Sequence, residues 1–161
     1  MTDPIRPTDD DARQMARDLL AQARHAALAV VLPDGSPMVT RVAFGLGPDG
    51  HPLTLVSDLS AHTTALKANP NGALLIGEPG ERGDPLTHPR LTLMAQARFL
   101  RKGDTGYDKT AAHYLRDHPK SKLYIGFADF SFAVFSTRQG HLNGGFGKAF
   151  VLTPKDMALP T

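Results

Sequence analysis

Between residues 12 and 23 the apolar side chains Ala12, Met15, Ala16, Leu19, Leu20 and Ala23 recur every three or four positions. That spacing predicts a helix over about residues 9–24, with one apolar stripe to lay on a sheet. Thr8 followed by Asp9, Asp10 and Asp11 marks its start: Thr8 serves as the cap, the acids suit the positive end of the helix dipole, and Thr8 with Asp11 imitates a capping box.

From residue 26 the period changes. Short apolar runs at 26–32, 38–46 and 52–57 are separated by Pro33-Asp34-Gly35-Ser36 and Gly47-Pro48-Asp49-Gly50. Asp-Gly pairs favour tight hairpins, so these strands are expected to be antiparallel neighbours. Residues 60–68 read as a short helix stopped by Asn69-Pro70, followed by a strand at 72–76. Residues 78–89, rich in Gly, Pro and charge, form a surface loop. Residues 90–100 alternate as a long strand, 104–117 suit a helix, and 130–135 make a last strand that closes on Thr137-Arg138-Gln139-Gly140. Hairpin-linked strands with helices at the start, middle and late positions predict a mainly β fold with peripheral helices. An antiparallel barrel fits them better than a doubly wound sheet.

Length and charge narrow the picture. The 161 residues suit a single domain, 1–161, with a barrel over about 26–152 and a short tail. The absence of cysteine removes disulfides, zinc thiolates and cysteine nucleophiles, and agrees with a reducing, cytoplasmic setting. With a net charge of only +2 and its cations scattered, the chain lacks the footprint of a nucleic-acid binder. It also lacks an apolar run of membrane-spanning length. The seven histidines form no H-E-x-x-H motif, and no serine sits in a G-x-S-x-G elbow, so metallohydrolase and serine-hydrolase chemistry are unsupported.

Three places carry candidate chemistry. Residues 57–64, Ser57-Asp58-Leu59-Ser60-Ala61-His62-Thr63-Thr64, offer hydroxyls, a histidine and free backbone N–H groups at a helix start, which is what a phosphate monoester needs. They equally suit a capped helix with a solvated histidine. Arg41 interrupts an apolar strand on the face opposite Val42 and Phe44. Its guanidinium could grip a phosphate or pair with a carboxylate at the barrel rim. Residues 143–150, Asn143-Gly144-Gly145-Phe146-Gly147-Lys148-Ala149-Phe150, are glycine-dense and fit a tight turn or a ligand approach. They match neither phosphate-binding glycine motif.

Taken in order, 40–44, 49–63, 65–70, 125–130 and 144–149 resemble the FMN-binding split β-barrels of the pyridoxamine 5'-phosphate oxidase-like superfamily. The likeness is to the branch of haem-utilisation proteins of the HugZ type. The resemblance implies an antiparallel split β-barrel of Greek-key type, a homodimer, and FMN as cofactor. It casts Arg41, Ser57, Ser60, His62 and Thr63 as phosphate or ribityl ligands, and Val42 as a backbone contact to the isoalloxazine edge. Arg90 stands near a family glutamine that touches flavin. The implied function is a flavin-dependent oxidoreductase of unnamed substrate. The alternative is a haem or flavin binding protein without turnover. Where the pyridoxamine oxidase has Arg-Lys, this chain has Ala61-His62, and the oxidase's arginine-rich C-terminal substrate segment is missing. Pyridoxamine-phosphate oxidase activity is therefore not expected, nor is the extra C-terminal domain that haem-degrading relatives carry.

Overall fold

The computed structural model describes residues 3–161. Its first helix, α1 (Asp10–Gln22), is capped by Asp9, whose carboxylate accepts from Ala12 N at 2.8 Å. Thr8, the expected cap, instead turns its hydroxyl to Val151 O across the molecule. Eight strands follow the helix: β1 (His25–Val31), β2 (Pro37–Ala43), β3 (Gly45–Leu46), β4 (Pro52–Ser57), β5 (Asn71–Ile76), β6 (Arg90–Leu100), β7 (Phe130–Asn143) and β8 (Ala149–Leu152). Helices α2 (Ala61–Ala68) and α3 (Tyr107–Asp117) lie between β4 and β5 and between β6 and β7. Both Asp-Gly pairs form hairpin turns, with Gly35 and Gly50 at φ 87° and 92°. Only glycine adopts that left-handed backbone freely.

Every named strand pair is antiparallel, in the order β2-β1-β5-β6-β7-β4-β3, with β8 added beside β7. The two edges of that path, β2 and β3, are separated in sequence by one residue, Phe44, which is wholly buried. The sheet is thus curled so that its edges meet at Phe44. Beyond that residue β2 and β4 run without a shared ladder, which makes the fold a split barrel, as expected.

Inside the barrel, Leu28, Leu74, Ile76, Leu91, Leu93, Phe135 and Leu152 form the main core with Phe44. Helix α1 adds Ala12, Ala16 and Leu20 to it, and α2 adds Ala65 and Leu66. Helix α3 covers part of the outer face and builds a second, smaller core from Tyr107, Tyr114, Leu53, Phe132 and Val134. Among the described residues no helix is long and apolar enough to cross a membrane.

Three further expectations are corrected. The run 38–46 is two strands broken at Phe44. Helix α3 begins at Tyr107 rather than at 104, because Asp104 accepts from Arg101 N and closes a turn before the left-handed Gly106. The final strand does not end at 135: β7 passes through 137–140 to Asn143, then turns through the glycine-dense segment into β8. A bulge explains that error. Opposite Met94 and Ala95 the register skips Arg138, pairing Ala95 with Thr137 and Met94 with Gln139. The inward face passes from Phe135 and Thr137 to Gly140 and Leu142, so the alternation that marks a strand is broken in mid-element.

Candidate functional site

Where β2 and β4 part, a groove of about 310 Å³ opens on the outer face. Arg41, Val42 and Ala43 of β2 and Leu55, Val56 and Ser57 of β4 line it. Ser60 and His62 of α2 stand at its side, with Tyr114 of α3 and the aromatic rings of Tyr124 and Phe130. Five of the seven residues singled out in the sequence, Arg41, Val42, Ser57, Ser60 and His62, therefore converge. Thr63 lies beneath them, wholly buried, its Oγ1 without a partner. Arg90 is elsewhere in the chain's own fold. It opens β6 opposite Asn143, and its guanidinium donates to Leu86 O at 2.8 Å, bracing the 78–89 loop.

The groove holds uncommitted hydrogen-bond donors at one end. Arg41 is exposed and, among the described residues, has no hydrogen bond or ion pair, so the carboxylate-paired rim role has no partner here. Ser60 is the N-cap of α2, yet its hydroxyl makes no capping bond. Thr63 and Thr64 donate their backbone N–H groups to Ser60 O, while those of Ala61 and His62 have no acceptor among the described residues. Such N–H groups, at the positive end of a helix, are suited to an oxyanion.

His62 is half-buried, with Nδ1 3.2 Å from Thr40 Oγ1 on β2. Burial of the ring holds its pKa below the usual 6.5, so the free protein carries it neutral at pH 7. Ser57 is committed: it donates to Asp129 Oδ2 at 2.6 Å and accepts from Leu59 N at 3.1 Å.

Sequence reasoning missed the aromatic wall. Tyr114 is buried with its hydroxyl unpaired, and that burial pushes its pKa up to about 12, so it stays neutral. Its ring stacks on His118 at 4.3 Å, and His118 Nε2 lies 2.9 Å from Phe44 O. The acceptor carbonyl makes Nε2 the protonated nitrogen. Ser121 and Tyr124 share a hydrogen bond of 3.1 Å beside it. The only signal in the sequence was Tyr107 and Tyr114, one heptad apart on α3. Together these elements can hold a molecule with a planar apolar body over Val42, Ala43 and Leu55 and an anionic group at the α2 end.

Residues 12–142 match the family described as pyridoxamine 5'-phosphate oxidase. The chain is 34% identical over 119 residues to the chloroplastic non-canonical haem oxygenase HOZ of Arabidopsis thaliana, a span covering 73% of this chain and 35% of that protein. It thus spans about a third of the length of this curated relative. A solved structure of a haem binding protein from Mycobacterium smegmatis is 29% identical with a TM-score of 0.82, covering 96% of this chain and 61% of that one. Another solved chain is 42% identical with a TM-score of 0.84, covering 94% and 98%. With the split barrel in place and the family match running from α1 to the end of β7, the chain belongs to the pyridoxamine 5'-phosphate oxidase family.

Proposed function

We propose that the groove binds FMN and that the protein is a flavin-dependent oxidoreductase. The observation that carries this is the set of unpartnered donors, Arg41, the Ser60 hydroxyl and two α2 N–H groups, gathered at one end of a groove with an apolar floor. They suit a phosphate monoester, and Arg41 adds a planar, permanently charged fork. The family resemblance casts Val42 as the backbone contact to the ring edge, but the ladder bonds Leu32 N–Ser36 O and Phe44 N–Arg24 O turn its peptide groups towards Ala26 of β1, so the backbone open to the groove is that of Arg41 and Ala43. When bound, the flavin supplies the hydride or electron transfer. The protein's own part is to anchor the phosphate, seat the ring on Val42, Ala43 and Leu55, and keep water out with Tyr114, Tyr124 and Phe130.

A second copy of the chain completes this proposal. In register across four strands, Val39, Ala29, Ala73 and Met94 form one row on the outer face, and Arg41, Ala27, Leu75 and Thr92 form the next. Val39 and Leu75 are 64% and 45% exposed, so the apolar stripe lies open beside Arg41. A homodimer covering it would abut the groove.

Similarity to a haem binding protein supports a second reading in which the groove or its surroundings hold haem without turnover, and similarity to a haem oxygenase supports only the contact with haem. An absorbance spectrum of the purified protein, with mass identification of the group released on denaturation, separates them. Flavin bands and steady NAD(P)H-driven turnover with an acceptor support the enzyme. A Soret band with no turnover supports the haem carrier, and a chain that takes up neither group defeats both.

A further inference from the structure

Behind Ser57, at the phosphate end of the groove, stands a carboxylate. Ser57 faces the groove, but its one hydroxyl hydrogen is given to Asp129 Oδ2 at 2.6 Å, and its oxygen already accepts from Leu59 N. Asp129 is fixed there by the fold: its carbonyl accepts from Asp58 N at 2.8 Å, next to the last rung of the β4–β7 ladder, Ser57 opposite Phe130. No cation among the described residues balances its carboxylate. Among the described residues Asp129 has no ion pair; neighbouring Asp58 takes Lys67 and Arg101, and Lys102 spends its ammonium on the carbonyls of Phe127 and Phe130.

We propose that Asp129 sets the anion preference of the groove, weakening its hold on a phosphate so that FMN exchanges readily. This rests on the reading that a phosphate-bearing flavin occupies the groove. A phosphate oxygen within hydrogen-bond reach of Ser57 Oγ lies no farther than about 5.5 Å from Asp129 Oδ2, the 2.6 Å bond plus one hydrogen-bond length. Two negative groups at that separation repel even in the high dielectric of an open groove. To bind the phosphate, Ser57 must also surrender its bond to Asp129. A neutral ribityl hydroxyl meets neither cost, since it can donate to the carboxylate.

The test is titration of FMN and of riboflavin into the wild type and Asp129→Asn, which keeps the shape and an acceptor for Ser57 but removes the charge. FMN affinity is expected to rise about five- to tenfold in the variant, with riboflavin changing much less and FMN dissociating more slowly. Asp129→Ser, which also offers Ser57 an acceptor, is the substitute if the asparagine variant fails to fold. FMN affinity that stays level or falls relative to riboflavin, in wild-type protein that does bind FMN, overturns the role of Asp129 and leaves the FMN site standing. Wild-type protein that binds neither flavin overturns the FMN reading, and this inference with it.

Discussion

Thr40 on β2 and His62 on α2 meet across the split, Oγ1 to Nδ1, at 3.2 Å. That contact ties the open edge of β2 to helix α2, and it fixes the histidine where burial disfavours its charged form. Because the folded-state pKa is depressed below 6.5, the unfolded chain takes up the proton more readily. Stability from this group is complete above 6.5 and is lost as pH falls below it towards the folded pKa. Urea midpoints on either side of that value are expected to show the loss, and His62→Gln to reduce it.

The same residue couples FMN binding to protons. A phosphate near the imidazole favours imidazolium, so affinity is expected to rise as pH falls from the pKa of the complex towards the lower pKa of the free protein. Titrations of His62→Gln retain only the phosphate's own second ionisation. An identical pH profile in the two proteins places His62 away from the phosphate.

Arg41→Ala separates anchoring from bracing. A charge-assisted contact to phosphate contributes roughly 1.5–3 kcal/mol, so FMN binding is expected to weaken by about one to two orders of magnitude. Riboflavin binding changes far less. Since the guanidinium has no partner among the described residues, the melting temperature without ligand is expected to hold. Unaltered FMN affinity would sink the β2 side of the site.

Phe44→Ala attacks the closure of the barrel. The ring is wholly buried at the point where the two sheet edges meet, and emptying such a site costs roughly 3–5 kcal/mol. A lower denaturant midpoint with the two-state slope unchanged, the shift times the slope giving that loss, is the expected result.

Val39→Asp places a charge at the exposed β2 end of the open apolar row. Light scattering is expected to report a dimer for the parent and a monomer for the variant, with little change in secondary structure. A monomeric parent removes the second copy from the proposal.

Much of the fold was legible because it is encoded locally. Turn chemistry at Asp34-Gly35 and Asp49-Gly50 and the apolar stripe of α1 lie within a few residues of what they specify. What escaped depends on distant partners. Thr8 lost the cap to Asp9 because Val151 O, on a strand the pattern did not reveal, claims its hydroxyl. The far half of β7 was hidden because the Arg138 bulge shifts the inward face. Of the residues that line the candidate groove, Arg41, Ser60 and His62 were singled out through residue type and order. Asp129 and Tyr114 were not, since nothing near them in sequence shows that they stand beside Ser57 and the groove.

The pairing of β4 has a consequence for the newly made chain. Ser57 and Asp129 are 72 residues apart, and β4's long ladder is with β7. While a ribosome is still producing α3, β4 has only the two-residue β3 beside it, and its apolar side chains Leu53, Leu55 and Val56 lack their covering strand. The nascent protein therefore carries an open, sticky edge until β7 emerges, a window in which chaperones or a neighbouring nascent chain can reach it.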